Sequence, residues 1–288
     1  MLPSRFDYHR ASSVDEALSL LDEYGEDAKV LAGGQSLIPL MKLRFAAPAH
    51  LIDINRISGL DSIEERDGYL AIGALVRHHQ LAGSETIAKG YPTLAAAAPQ
   101  IADPIVRNLG TTGGSLAHAD PAGDLGSVML SMGASVVLRS SAGERVVPIG
   151  AFLVDTFTTS ITPNELLSEI RVPTPPPRSG GAYLKLERKV GDFATVAVAV
   201  TLSLEDGAVG GAGIALTGVG LKNIEAAEAA ASLRGAAPTD EAFAEAGRLA
   251  AEASNPVSDV RGTDTYKRHM VEVYTRRGLA TASAMAAG

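Results

Sequence analysis

Apolar and polar positions recur at helical spacing in SSVDEALSLLDEYG, where Val14, Ala17, Leu18 and Leu21 fall on one face. Ser13 followed three residues later by Glu16 is a capping-box pattern, and Gly25 is placed to stop the helix. Short apolar runs come next. KVLA at 29–32, HLIDI at 50–54 and YLAIGAL at 69–75 read as strands, with helices over 76–84 and 92–102. ASVVLRS, a polar SAG turn and RVVPI predict a hairpin over 134–149, and ELLSEIRVP one more strand.

The stretch PTPPPRSGG, Pro173 to Gly181, suits neither a helix nor a central strand. It is expected to separate two domains, 1–175 and 176–288. Beyond it AYLKLER, ATVAVAVTLSL and GAGIALTGVG predict three strands of one sheet, with EDGA turning between the second and third. Segments at helical spacing over 223–233, 238–254 and 263–277 complete the chain. Strands followed by helices predict an α+β layer with helices on one sheet face.

Two stretches break this pattern with paired glycines: LAGGQSLIPLMKLR at 31–44 and LGTTGGSLAHADPAGDL at 109–125. Glycine lets a ligand approach the main chain with no Cβ in the way, and successive N–H groups at such a turn suit phosphate. Each turn also carries a hydroxyl, Ser36 or Ser115. A single Gly-Gly turn is more often a plain connection. Two together point to a longer anion, such as the pyrophosphate of a dinucleotide held from both sides. No G-x-x-x-x-G-K-[ST] loop, no G-x-G-x-x-G after a strand and no G-x-S-x-G elbow is present, so the P-loop, Rossmann and α/β-hydrolase readings lack their motifs.

Composition narrows the chemistry. Acidic residues outnumber basic ones 33 to 25 across 288 residues, a formal charge of −8 that argues against a broad nucleic-acid surface. With no cysteine, the chain can hold neither a thiolate nucleophile nor a cysteine-ligated iron–sulfur cluster. The amino terminus lacks a leader pattern, and the run from Phe193 to Leu204 falls well short of the roughly 18 apolar residues of a membrane span. A cytoplasmic protein without a transmembrane segment is expected. His78 and His79 point about 100° apart on a helix, so they cannot share a metal, and no metal site is expected. Asp120 and Asp124, just after the second turn, are candidates to accept hydrogen bonds from sugar hydroxyls. Ser115, His118 and Asp120 lie too close in sequence to read as a hydrolytic triad.

With both turns and KLERKVGDFATVAVAV in view, the sequence resembles the FAD-binding medium subunits of the molybdenum hydroxylases. Among these it is most similar to the medium subunits of aerobic carbon monoxide dehydrogenases. FDYHR, AGGQSLIPLMKLR, IADPIVRNLGTTGGS, ADPAGDL, ELLSEIRVP and GTDTYKRHMVEVYTRR carry the likeness over nearly the whole chain. The resemblance implies a two-subdomain FAD-binding domain of the vanillyl-alcohol-oxidase type, followed by a domain of sheet plus helices. It places FAD pyrophosphate against Ala32, Gly33, Gly34, Gln35 and Ser36, and against Thr111, Thr112, Gly113, Gly114 and Ser115. It further implies Asp124 near ribityl or ribose hydroxyls, Ile101 near the ring, and roles for Leu167, Lys185 and Phe193. Many relatives have His at Gln35 and Ile at Thr112, and some have Tyr at Phe193.

The function implied by the resemblance is that of an electron-transfer subunit with no catalytic acid or base of its own. A large partner would carry the molybdenum cofactor and a small partner the iron–sulfur clusters, in a dimer of heterotrimers that passes electrons to an acceptor such as a quinone. A peripheral place at the inner face of the membrane is compatible with this. Nicotine, quinoline, aldehyde or purine hydroxylases would use the same kind of subunit. A flavin-free assembly module and a stand-alone oxidase are the remaining readings, and the intact turns argue against the first.

Overall fold

A computed structural model describes residues 2–288. The first unit comprises β1 (Asp7–Arg10), α1 (Val14–Tyr24), β2 (Ala28–Leu31), α2 (Leu37–Leu43) and β3 (His50–Asp53). β3 lies between β1 and β2 and runs parallel to both. Ser13 Oγ accepts the Glu16 N–H at 3.1 Å, and the Glu16 carboxylate reaches back to the Ser12 N–H at 2.7 Å, one residue earlier than a strict capping box. The predicted apolar face of α1 is the buried one, Ala17, Leu18 and Leu21 packing with Ile52 and Ile54. Strand β1 has no apolar alternation in DYHR, and its partner β3 lies some forty residues on, so the pattern did not predict it. The first glycine turn leaves the carboxyl end of β2 and Asn55 that of β3, the edge of a parallel sheet where ligand crevices form.

The second unit runs through β4 (Ile63–Arg66), β5 (Tyr69–Gly73), α3 (His78–Gly83), α4 (Glu85–Gly90), α5 (Pro92–Ala97), α6 (Pro104–Leu109), α7 (Thr112–His118) and α8 (Asp124–Ser131). It continues with β6 (Ser135–Ser140), β7 (Gly143–Pro148), α9 (Ile149–Phe152), β8 (Leu153–Asp155), β9 (Thr158–Thr159) and β10 (Leu166–Pro173). Five strands form an antiparallel sheet in the order β4-β5-β10-β6-β7, and the expected hairpin is β6–β7. Strand β4, IEER, is a polar edge strand that sequence patterning missed. Every residue of α8 is buried.

The third unit holds β11 (Ser179–Leu186), β12 (Val196–Glu205), β13 (Ala208–Thr217), β14 (Ile224–Glu225), α10 (Ala227–Leu233), α11 (Asp240–Ala253) and α12 (Asp264–Ala287). Its strands are antiparallel in chain order. In β12, Val196, Val198 and Val200 pack toward α10–α12, whereas Ala197 and Ala199 join the core of the second unit. The sheet is therefore covered on both faces, by its own helices on one and by α5 and α8 on the other. The one-face layer expected from the element order describes only half of this.

Pro173 ends β10, and Ser179 to Gly181 already belong to β11, so the break between strands is Thr174–Arg178. The glycines serve close approach. A Cβ on Gly180 would fall 2.0 Å from Ala282 O of α12, and one on Gly181 2.0 Å from Thr93 Oγ1 of α5. The segment 223–233 divides into β14 and α10, and α12 continues to Ala287. No helix among the described residues is long and apolar enough to cross a membrane.

Candidate functional site

The two glycine turns touch. A Cβ on Gly33 would lie 2.2 Å from Leu109 O and 2.8 Å from Gly110 Cα, so only glycine allows the first turn to rest on the second. Gly34 follows at φ +73, a left-handed turn of the chain that glycine accommodates. The N–H groups of Gly33, Gly34, Gln35 and Ser36 make no hydrogen bond among the described residues. A row of unsatisfied donors is costly unless water or a ligand accepts from it. It matches the oxygens of a phosphate.

The second turn is built differently. Thr111 N-caps α7, its hydroxyl accepting the Gly114 N–H at 3.1 Å, and the Ser115 N–H bonds to Thr111 O. The Thr112 N–H goes to Val76 O at 2.9 Å and the Gly113 N–H to Ala74 O at 2.9 Å. The Thr112 hydroxyl, fully buried, shares its one proton between Gly73 O at 3.1 Å and Val76 O at 3.2 Å. Thus Thr112 and Gly113 anchor the turn to the sheet, and the Ser115 hydroxyl, half-buried, is left for a ligand. The first turn supplies bare amides, the second a wall.

From Leu109, α6 leads back to Asp103 and Ile101, a nearly buried residue beside Gln100. Lys185 Nζ donates to Gln100 O at 3.0 Å and to Asp124 Oδ2 at 3.1 Å, with Glu187 Oε2 at 3.5 Å. Tyr183, two residues earlier on the same face of β11, donates its hydroxyl to Asp124 Oδ1 at 2.5 Å. The side chains of Lys185 and Asp124 are 1% and 8% exposed, which makes this a buried ion pair. Burial pushes the Asp124 carboxyl above its usual range, and Lys185 pulls it back down. Burial and the Asp124 charge hold the Tyr183 phenol well above 10, so it stays a donor. Tyr183 was missed by sequence reasoning, although its two-residue spacing from Lys185 on a strand was a usable signal.

Phe193 is 53% exposed, and its carbonyl accepts from Arg261 at 2.9 Å. Gly191, two residues before it, packs on the backbone of Ala102, which brings the Phe193 loop beside Ile101. Leu167 is buried in β10 opposite Leu138, the strand on which α7 packs. The turns, α6, Ile101, the Phe193 loop and the Asp124–Lys185 pair therefore follow one another in contact, and Leu167 lies in the same buried core as Ile101. Asp120 accepts the Ala122 N–H at 2.9 Å as a turn cap, and the His118 ring packs on Phe157, so neither joins Ser115.

His78 lies under the second turn, its N–H donating to Gly110 O at 3.1 Å. Its ring is buried, Nδ1 has no partner among the described residues, and burial, with Arg107 and Arg77 nearby, drives its pKa down to about 4. The unfolded chain takes up this proton first as pH falls. Stability is fully present above about 6.5 and drains away towards about 4, by about 2 kcal/mol at pH 5. His78→Phe should flatten that slope; denaturant midpoints at pH 7 and pH 5 compare the two proteins.

An arc of bare amides at a parallel-sheet edge, backed by a second glycine turn, suits a phosphate-bearing ligand, and residues 4–175 match the family model described as the FAD binding domain in molybdopterin dehydrogenase, which makes the chain a flavoprotein subunit. The chain belongs to that family. Residues 181–282 match the CO dehydrogenase flavoprotein C-terminal domain. The chain is 42% identical over 286 residues to the carbon monoxide dehydrogenase medium chain of Afipia carboxidovorans, covering 99% of each. It is also 42% identical over 283 residues to the 6-hydroxypseudooxynicotine dehydrogenase complex subunit alpha of Paenarthrobacter nicotinovorans, covering 98% of this chain and 96% of that one. A solved carbon monoxide dehydrogenase from Hydrogenophaga pseudoflava superposes with a TM-score of 0.96 at 44% identity, over 99% of both chains.

Proposed function

We propose that the chain is the FAD-carrying medium subunit of a carbon monoxide dehydrogenase, relaying electrons from an iron–sulfur subunit to an external acceptor such as a quinone. The unpaired amides of Gly33 to Ser36, backed by the second turn, carry this reading. FAD held there would supply a junction between one-electron donors and a two-electron acceptor. The chain's residues bind and orient it. Gly33, Gly34, Gln35 and Ser36 would donate their N–H groups to the pyrophosphate and Ser115 its hydroxyl, with Ala32, Thr111, Thr112, Gly113 and Gly114 holding the turns in shape. Asp124 orients a sugar or ribityl hydroxyl, Lys185 sets the local charge, and Ile101, Leu167 and Phe193 shape the apolar side.

The cysteine-free chain has no ligand for a cluster, so the iron–sulfur clusters and the molybdenum cofactor belong to small and large partners in a dimer of heterotrimers. The two working domains are 1–175 and 176–288, with the second resting on α5 and α8 of the first. The equal identity to the 6-hydroxypseudooxynicotine dehydrogenase subunit supports a second reading, in which the partner oxidises an organic substrate and this subunit is unchanged.

The test is the visible spectrum of the native complex, purified through this chain without oxygen. Carbon monoxide should bleach the flavin band to the extent dithionite does. A band that only dithionite bleaches moves the assignment to another molybdenum hydroxylase, and no flavin band at all rejects the electron-transfer role.

A further inference from the structure

A chain of hydrogen bonds whose side chains all lie outside the predicted site residues ties the two glycine turns together. It begins at Tyr8, whose hydroxyl donates to Asp53 at the end of β3. Asp53 Oδ1 accepts the N–H and the side-chain amide of Asn55, at 2.8 and 2.7 Å. The same amide donates at 2.7 Å to Ala32 O, the first residue of the first turn. Asn55 Oδ1 accepts from Arg77 Nη2 at 2.6 Å, and Arg77 Nη1 donates to Leu109 O, at the mouth of the second turn. Leu109 O is also the atom on which Gly33 rests. Arg77 is held in turn by Gln80, whose side chain accepts the Arg77 N–H at 2.7 Å. One half-buried guanidinium thus spans from the parallel sheet to the antiparallel unit and fixes the spacing of the two turns.

We propose that Arg77, seated by Asn55, is a positioning residue that sets the gap between the glycine turns to the width of a dinucleotide pyrophosphate. This rests on the turns being the pyrophosphate site. The planar fork is what the arrangement needs. Its two Nη atoms reach two acceptors on different subdomains at once, and a lysine ammonium offers one compact point on a flexible stem. Both bonded acceptors are uncharged, and the carboxylates of Asp61 and Asp53 lie near the guanidinium without bonding to it.

The experiment uses the whole complex, stripped of flavin and titrated with FAD and, separately, with ADP, which carries the pyrophosphate without the ring. Arg77→Ala should weaken both ligands by at least tenfold and by similar factors. Arg77→Lys, which keeps the charge and perturbs folding least, should fail to restore either. The melting temperature of the stripped complex should stay that of the unsubstituted one, while the rise on adding FAD shrinks.

FAD affinity within twofold of the parent, recovery in Arg77→Lys, or a loss confined to FAD with ADP unaffected would each overturn the proposal. So would a fall in the stripped complex's melting temperature that accounts for the whole effect, which would make Arg77 a folding residue. Failure of the parent complex to bind either ligand would instead reject the pyrophosphate site itself, and the proposal with it.

Discussion

Gly33→Ala should yield a complex that assembles but loses its flavin. The new methyl would fall 2.2 Å from Leu109 O and 2.9 Å from Leu109 C, main-chain atoms that no rotamer change can move. Overpacking of this kind costs about 1–3 kcal/mol. Here the easiest relief is to part the two turns, which spoils the donor row and the closure around the anion together. A hundredfold loss of FAD affinity, about 2.7 kcal/mol, is the expected size. Flavin per complex after gel filtration measures it. Gly83→Ala serves as the control, because a Cβ there meets nothing within 4 Å and the backbone is not left-handed. Equal flavin content in both variants would place the cofactor somewhere other than these turns.

The second large effect is expected at Lys185. Lys185→Met removes the cation bonded to the Asp124 carboxylate, which keeps the Tyr183 hydroxyl, and leaves Glu187 alongside. Breaking one side of a buried ion pair typically costs about 3–5 kcal/mol, because the remaining charge is left without compensation. Thermal unfolding of the complex should drop by roughly 10 °C. The deficit should depend on pH with a definite sign. The Asp124 carboxyl is already raised by burial, and removing Lys185 raises it further. Its folded pKa then stands above the unfolded one, so the variant comes closest to the parent at low pH and falls behind as pH rises through the folded value. Adding Asp124→Asn should recover much of the loss, since a neutral amide has no charge to strand. If the double variant is as unstable as the single one, the pair does not act through charge.

Local features were readable from the sequence because their partners lie within a few residues. Ser13, Glu16 and Gly25 fix the ends of α1 through bonds made inside one turn of chain. The β6–β7 hairpin closes over two residues, and the two glycine turns announced themselves by composition. Strands β1 and β4 were not readable. DYHR and IEER are polar edge strands, and each is a strand only because a neighbour offers it a hydrogen-bonding ladder. The glycines at 180 and 181 looked like a linker yet belong to a strand squeezed between α5 and α12.

For the site, residue chemistry was legible and division of labour was not. Sequence reasoning treated the two turns alike; in the fold the amides of Gly33 to Ser36 are free, whereas Thr112 and Gly113 donate theirs to Val76 and Ala74. Asp124 was expected to face a sugar, and nothing nearby in the sequence marked that its oxygens also accept from Tyr183 and Lys185. Arg77 and Asn55 carried no local mark of the bridge, since the partners through which it spans the turns lie 22 to 32 residues away.

The amino-acid sequence by itself determined where the chain turns, which segments are amphipathic and which chemistry is missing, because helical caps, glycine conformations and the lack of a thiol are properties of neighbouring residues. Only the tertiary structure decided that Gly33 rests on Leu109, that Arg77 spans the gap, and that a lysine and an aspartate share one buried place. Those are contacts between distant segments, and burial, which sets their energy, exists only once the sheets and helices have closed around them.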